Sequence, residues 1–506
     1  MAAGRPNLLL IMADQLAACW LPAYGHAVVQ APNLNALAEA GTVFESAYCP
    51  SPLCAPSRSS LLTGRLPSRT GVYDNAAELR ASEPTVTHHL RAAGYDTCLS
   101  GKMHFVGPDQ LHGFEQRLTT DVYPADLDWT PDWHAPPTMR LPWYHTMESV
   151  LTPGMCAASM QMDYDDEVAH RAVRKLYHLA RDRERPFFLT VSFTNPHDPW
   201  EVRPEYWERY HPEAIDLPAV GPIPREQADP HSVRLRELSG IDEVALSEQQ
   251  LRRARHGYYA AISYVDERIG TVLAALAETG LDDNTIVLFT TDHGELLGER
   301  GLWYKMAFFE ASARVPLIVR RPDRMAAGRV AQPVSLLDLV PTLLELCGLE
   351  QPRGLDGRSL APALAGERLN GADVASEYLA EGVTSPAVML RRGRHKFIWC
   401  ADDPEQLYDV EADPHELSNL AQAEPQRCAE LRAEVQRRWD MPLLREQVLR
   451  SQDERRLVVE ALHVGRPASW NFVPQPDREF VQGRADLYEF QRQARVEAPL
   501  TGRAPA

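Results

Sequence analysis

Three short stretches of the chain hold residues whose types and spacing could do chemistry. Asp14 follows an apolar run in Ile11-Met12-Ala13-Asp14-Gln15. Asp292 and His293 follow another, in Phe289-Thr290-Thr291-Asp292-His293-Gly294. In open α/β sheets, sites form outside the carboxyl ends of the strands. Two strands ending there would gather two carboxylates, an imidazole and a side-chain amide. Carboxylates that close repel each other unless a cation lies between them. Oxygen ligands fit Ca2+, Mg2+ or Mn2+, and the imidazole favours Mn2+ more than an all-oxygen site would. The bland alternative makes Asp14 and Asp292 ordinary N-caps or loop acids. The third stretch runs from Pro52 to Arg65. Cys54 stands at what reads as a helix N-terminus, with Pro56 in the first turn. The helix dipole and Arg58, four residues on, would both stabilise an anion there. Its bland alternative is a small buried cysteine in a Ser/Pro loop.

Positioning these groups requires strands that end at one edge. Leu8–Met12 reads as a buried strand, Pro32 to Gly41 as a helix, and Pro84 to Ala93 as a helix before the strand Tyr95–Leu99. Asp163 to Asp182 reads as a helix before the apolar run Phe187–Phe193. Ser247 to Gly280 reads as a helix before the strand Thr285–Thr290. Val315–Val319 and the helix-like Leu336–Leu346 follow. Strands alternating with helices predict an α/β fold with a large, mostly parallel sheet flanked by helices. Residues 120–160 and 198–245 lack a clear period and read as loops that shape a site. The composition shifts to Gly, Pro and Arg near Gly348–Pro362. This predicts a catalytic α/β domain over residues 1–365 and a smaller α+β region over 366–506. In the latter, Ala375–Leu379, Ala387–Arg391 and Lys396–Trp399 read as short antiparallel strands, with a helix around Pro425–Trp439. The charged last 60 residues carry no assigned element.

The composition, 44% hydrophobic and 24% charged, is that of a globular protein. It excludes a disordered, collagen-like or coiled-coil chain. A net charge of −18 disfavours nucleic acid and anionic lipid as partners. No apolar run approaches the roughly 18 residues of a spanning helix. Eight cysteines without CxxC or zinc spacing are not a disulfide framework. The short apolar run before Asp14 is too brief for a signal-peptide core, so the expected location is cytoplasmic, with reduced thiols.

Cys54-Ala-Pro-Ser-Arg58, followed by Leu62-Thr-Gly-Arg65, resembles the signature of the type I sulfatases of the alkaline phosphatase-like superfamily. Further elements stand in that family's order: Gly101-Lys102-Met103-His104, Asn195-Pro196-His197-Asp198, and Trp303-Tyr304-Lys305. The resemblance covers about residues 5–440. The pairs Asp14-Gln15 and Asp292-His293 depart from the commoner Asp-Asp and Asp-Asn. They look like the branch holding choline sulfatases and phosphonate monoester hydrolases. Lys102 and His104 argue for a sulfatase within it. Long runs, among them Leu66 to Glu78, Gly107 to Phe114 and Thr119 to Asp126, are similar to the choline sulfatase family.

The resemblance implies hydrolysis of a sulfate monoester, choline-O-sulfate first. It implies that Cys54 is oxidised before folding to Cα-formylglycine, by a separate maturation enzyme. The aldehyde hydrates to a geminal diol, one oxygen of which attacks sulfur. It implies one divalent metal, Ca2+ first with Mn2+ or Mg2+ as alternatives, held by Asp14, Gln15, Asp292, His293 and the modified Cys54. Lys102 and Lys305 would balance charge on the sulfate oxygens, and Arg58 would hold the second hydroxyl. His197 or Lys305 would protonate the leaving oxygen, and His104 would be the base that expels sulfate. Asn75 is an additional donor to sulfate, or else a turn cap. Choline's quaternary ammonium can be held only by aromatic faces and carboxylates. Among Trp129, Trp133, Trp143 and Tyr144, the resemblance singles out Trp129, together with Glu381. In that family the C-terminal tail of one subunit completes a neighbour's site. Asp486 would be the tail acid, in a homodimer or homotetramer. The rivals are an arylsulfatase or phosphonate/phosphate ester hydrolase on the same scaffold, and a non-catalytic anion-binding homologue.

Overall fold

The three strands Asn7–Ala13, Phe187–Ser192 and Thr285–Thr291 are buried along their length, apart from the half-buried Asn7. Apolar strands buried on both sides need helices on both faces of their sheet. The computed structural model describes residues 5–322, 328–369, 371, 373–466 and 469–474. In it those strands form the centre of a nine-stranded sheet. Its order is Gly328–Val330, Thr42–Tyr48, Arg314–Arg320, Thr285–Thr291, Asn7–Ala13, Phe187–Ser192, Asp96–Gly101 and Gln116–Arg117. Val334–Ser335 also pairs with Thr42–Tyr48. Arg314–Arg320 runs antiparallel to both neighbours and every other pairing is parallel. The α/β class with a mostly parallel sheet is as expected.

Helix Glu248–Glu278 packs on Met160–Arg181 and on Pro32–Glu39. Its start is fixed by a capping box, in which Ser247 accepts from the Gln250 amide. Helices Cys54–Thr63, Val86–Ala92 and Leu339–Leu346 form a second packed group. A separate antiparallel sheet of four strands follows, in the order Val374–Tyr378, Ala387–Arg392, His395–Cys400 and Gln406–Asp409. Helix Pro425–Arg438 covers it, and helix Met441–Leu462 ends the described chain's regular structure. No helix among the described residues is long and apolar enough to cross a membrane.

Several elements escape the sequence reading. Thr42–Tyr48 is a strand, yet Glu45 and Ser46 interrupt its apolar pattern where a register shift lies between Phe44 and Ala47. Residues 198–245 are not wholly irregular. Pro230–Ser239 is a helix with Asp229 as its N-cap, accepting from Ser232 N. The charged stretch after Trp439 holds the 22-residue helix Met441–Leu462, started by Asp440 accepting from Leu443 N. Most of its charges, Arg455 apart, lie on an exposed face, so composition alone hides it.

A buried ion cluster joins the small sheet to the large one. Lys396 is fully buried, with Nζ 2.6 Å from Glu310 Oε1 and 2.8 Å from Glu416 Oε1. Glu310 immediately precedes the strand Arg314–Arg320, in the short helix Glu310–Ala313. Removing the cation would leave two buried carboxylates facing each other. Lys396→Met is therefore expected to destabilise the protein by about 3–5 kcal/mol, read as a lowered thermal or urea midpoint. An unchanged midpoint would show that the cluster does not hold the sheets together.

Candidate active site

The four parallel strands Asp96–Gly101, Phe187–Ser192, Asn7–Ala13 and Thr285–Thr291 end at one edge of the sheet. Lys102 follows the first and Asn195-Pro196-His197-Asp198 follows the second. Asp14-Gln15 follows the third and Asp292-His293 the fourth. The turns are tight. Gln15 and His104 adopt positive φ, 61° and 57°, a region that costs most residues energy and tends to cluster at functional sites. Gly101 has φ +114°, and a Cβ there would lie 1.9 Å from the Ser192 carbonyl oxygen. Only glycine lets the chain turn there and deliver Lys102.

Cys54 opens the helix Cys54–Thr63, all ten residues of which are buried. Its Sγ lies 3.1 Å from His293 Nε2. Asn75 Oδ1 accepts from Ala55 N at 3.0 Å, so it takes the role of a cap on this first turn. Arg58, one turn on, is fully buried and spans the strand ends. Its Nε donates to Asp292 Oδ2 at 2.7 Å and its Nη2 to Asp14 Oδ2 at 3.0 Å. Its Nη1 donates to Lys102 O at 2.7 Å and Ser192 Oγ at 2.8 Å. Lys102 Nζ also donates to Asp14 Oδ2. Burial and the Cys54 sulfur push the Asp14 carboxyl up, but Lys102 and Arg58 outweigh them and hold it below the usual range. Burial likewise pushes the Cys54 thiol up, yet Lys102, Lys305 and His293 hold it well below its ordinary value. The pocket around this atom therefore favours negative charge.

One oxygen of Asp14 is left over. Oδ1 is buried and accepts no hydrogen bond, which is costly for a carboxylate. Ligand atoms of Asp14, Cys54, Asp292 and His293 all lie within 4.8 Å of one another. Two carboxylates, one orphaned oxygen and an imidazole fit a hard divalent cation. Gln15 is directed elsewhere. Its Oε1 accepts from Lys305 Nζ, and its Nε2 donates to Glu295 Oε2 at 2.6 Å and Asp198 Oδ1 at 3.3 Å.

The opposite wall carries the remaining predicted groups. Lys305 Nζ donates to His197 Nε2 at 2.8 Å. His197 Nδ1 donates to the Asp198 carbonyl oxygen at 2.7 Å. His104 packs against Tyr123 and Trp129, with ring centroids 5.2 and 5.9 Å apart. Lys102 Nζ lies 4.2 Å from the centroid of the Tyr123 ring. Trp129 stacks on Trp143 at 6.0 Å and 18°. Glu381 is buried, and burial pushes its carboxyl up to about 7, with Asp74 adding to the rise. Trp133 is buried and donates from Nε1 to Ala380 O, next to Glu381, at 2.7 Å. Asp486 lies outside the described residues.

Sequence comparison agrees with this geometry. A family model described as Sulfatase matches residues 6–349. The chain belongs to the sulfatase family. A second model, N-sulphoglucosamine sulphohydrolase, C-terminal, matches residues 298–442 of this sulfatase. A protein named choline-sulfatase from Rhizobium meliloti (strain 1021) is 48% identical over 487 residues, 94% of each chain. Arylsulfatase K of Danio rerio is 29% identical, covering 84% of this chain and 82% of that one. The crystal structure of the phosphonate monoester hydrolase of Agrobacterium radiobacter superposes with a TM-score of 0.70 at 26% identity, covering 88% and 96% of the two chains. The sulfatase is a sulfuric ester hydrolase with an alkaline phosphatase-like fold.

Several residues of the sulfatase site were assigned no role by the sequence. Asp198 accepts from Ser149 Oγ at 2.9 Å and lies 3.2 Å from His197 Nδ1 and 3.5 Å from His145 Nδ1. Glu295 fixes the Gln15 amide and accepts from Tyr304 N and Leu297 N, both at 2.7 Å. Burial pushes its carboxyl up to about 7. Asp198 and Glu295 each stand within three residues of a motif histidine, which was their one signal. Tyr123 lies in the run Thr119 to Asp126 that resembles the choline sulfatases, but that run assigned it no role. The geometry makes Arg58 the spacer between two carboxylates. A lysine keeps the charge but not the fork. Arg58→Lys is expected to lower turnover of a sulfate ester at least about hundredfold, measured by sulfate release. Turnover near that of the parent would refute this role.

Proposed function

We propose that this sulfatase hydrolyses choline-O-sulfate to choline and sulfate, with a formylglycine made from Cys54 as its nucleophilic residue and one divalent cation beside it. The observation that carries the substrate is the wall next to Cys54. Stacked Trp129 and Trp143, Tyr123 and the buried acid Glu381 offer π-faces and a carboxylate, which a quaternary ammonium needs. Likeness to a relative named choline-sulfatase supports the same reading. The tail acid Asp486 is proposed as a further anion for the ammonium.

Asp14, Asp292 and His293 would hold the cation, with Cys54 after maturation, while Gln15 stays bound to Lys305. Ca2+ is the first choice for such carboxylate oxygens, ahead of Mn2+ and Mg2+. When bound, the ion supplies Lewis acidity to a sulfate oxygen and lowers the pKa of the nucleophile. Maturation would replace the thiol with the hydroxyls of a hydrated aldehyde at the same point. Arg58 orients that position by fixing Asp14 and Asp292 around it. Lys102 and Lys305 stand where charge grows on the equatorial sulfate oxygens. Lys305 and His197 share one proton across 2.8 Å and are the pair that can protonate the leaving oxygen. Such help matters because choline is a poor leaving group. His104 would be the base that removes the proton whose loss releases sulfate. Asn75 holds the Ala55 amide and so anchors the turn beneath the sulfate.

Residues 1–365 are proposed as the catalytic domain and 366–506 as a subdomain with an oligomerising tail, in a homodimer or homotetramer. The antiparallel sheet after Val374 supports that division. A cytoplasmic location fits eight free cysteines.

Two measurements test the reading. Peptide mass spectrometry at Cys54, paired with sulfate release from choline sulfate, should give an aldehyde-sized mass and rapid turnover. Conversion without choline sulfate turnover, but with turnover of an aryl sulfate or a phosphonate, would favour the rival substrates. The second is a pH profile. Glu381 is raised to about 7, so it is protonated and neutral below that pH and anionic above it. KM for choline sulfate should fall as pH rises through about 7, and KM for an aryl sulfate, which carries no cationic group, should lack this step. The same step for both substrates would remove Glu381 from the cation pocket.

A further inference from the structure

Arg455 belongs to the helix Met441–Leu462, outside the strands and loops that carry the catalytic groups. Its side chain is 10% exposed and its partner Asp74 is fully buried. Nη1 and Nη2 donate to the two oxygens of Asp74, each at 2.7 Å. Nη1 also donates to Thr130 Oγ1 at 3.2 Å. Asp74 precedes Asn75 and Thr130 follows Trp129, so the guanidinium joins two separate segments of the proposed site. Asp74 Oδ1 accepts from Ala76 N at 3.0 Å and its carbonyl oxygen from Ala77 N at 3.2 Å, which shapes the turn that carries Asn75. Asn75 in turn holds Ala55 N beside Cys54. Thr130 follows Trp129 and donates to Leu127 O at 2.7 Å, closing the turn that presents the indole. One planar guanidinium thus reaches the sulfate side and the aromatic side together.

The same helix grips the aromatic insertion elsewhere. Gln452 Oε1 accepts from Trp133 N at 2.8 Å. Arg456 pairs with Asp132 at 2.6 Å. These contacts hold the insertion against the helix, but Arg455 alone among them also touches the turn behind the nucleophile. A bidentate arginine–carboxylate pair fixes orientation as well as distance, and a buried carboxylate cannot leave its partner cheaply.

We propose that Arg455 is a positioning residue that sets the separation between the sulfate-side turn and the aromatic wall, and thereby selects sulfate esters of a cationic alcohol. The proposal rests on the choline reading above. A substrate that spans both walls depends on their spacing, whereas one that uses only the sulfate side does not. Lysine can answer the charge of Asp74 but cannot make the fork and reach Thr130 at once.

The test uses the full-length, matured enzyme with choline sulfate and nitrophenyl sulfate. Arg455→Lys is expected to raise KM for choline sulfate and lower its kcat/KM about tenfold, with nitrophenyl sulfate kept within about threefold. Thermal midpoint and the Cys54 mass should stay near those of the parent. Thr130→Val leaves the Asp74 pair intact and should shift selectivity in the same direction by less, which keeps the test open if Arg455→Lys folds poorly. Equal losses on both substrates, the mark of a purely structural role, would overturn the proposal. A parent without preference for choline sulfate would overturn the choline reading and the proposal with it. A selective parent whose two variants remain equally selective would overturn the proposal alone.

Discussion

The site depends on a guanidinium buried between two carboxylates. Asp14 and Asp292 end adjacent parallel strands, so the sheet itself forces them together. Without a cation they would repel, and the strand ends would splay or one acid would take a proton. Arg58 answers both through a single rigid group and ties in Lys102 O and Ser192 Oγ from the next two strands. Four strand ends are therefore registered on one side chain. Because Arg58 sits one turn after Cys54, the same contact fixes where the nucleophile's helix begins. Arg58 and Lys102 occupy one Asp14 oxygen and leave the other orphaned. Two protein cations thus do not saturate the acids, and an exogenous cation has a place.

Around this fixed centre the remaining groups are held by neighbours that never touch a substrate. Glu295 and Asp198 take both sides of the Gln15 amide nitrogen, which forces the amide oxygen toward Lys305. The Asp198 carbonyl oxygen claims His197 Nδ1, which leaves Nε2 to face Lys305. The Lys305–His197 pair, proposed as the acid for the leaving group, is thus set by two carboxylate residues and an amide. The C-terminal helix does the equivalent work on the far wall. The core strands supply the reactive groups, and the peripheral elements supply the spacing between them.

What the sequence made legible follows from this division. Asp14, Cys54, Arg58, Lys102, His197, Asp292, His293 and Lys305 stand next to turns and apolar strands, where local pattern and motif coincide, and they meet in one place. The central strands were legible because burial on both faces leaves an unbroken apolar run. Thr42–Tyr48 was not, since Glu45 and Ser46 break its run where the pairing shifts. Met441–Leu462 was not, since its buried positions are few among charged ones. What Glu295, Tyr123 and Arg455 bind to was not legible, for a different reason. Their roles arise from contacts across the fold, between Arg455 and Asp74 across 381 positions, and no local pattern encodes such a pairing.

Electrostatics separates the long-range field from the local one. The chain carries a net charge of −18, so at a distance it repels simple anions. At the bottom of the site the balance inverts: Arg58, Lys102 and Lys305 surround the position of the nucleophile, and the Cys54 thiol is held well below its ordinary value. On the adjoining wall the sign changes again, with the buried Glu381 and the half-buried faces of Trp129 and Trp143. The site is therefore a dipole in an acidic protein. The proposed choline-O-sulfate is a zwitterion with no net charge, so the global field neither attracts nor repels it. Only the local gradient acts on it, and that gradient can orient it one way: sulfate toward the three cations, ammonium toward Glu381 and the aromatic faces. An anionic aryl sulfate meets the opposing global field and gains nothing from the acid and the aromatic faces. Selectivity thus comes from matching the order of charges along the pocket and not from the strength of any one contact.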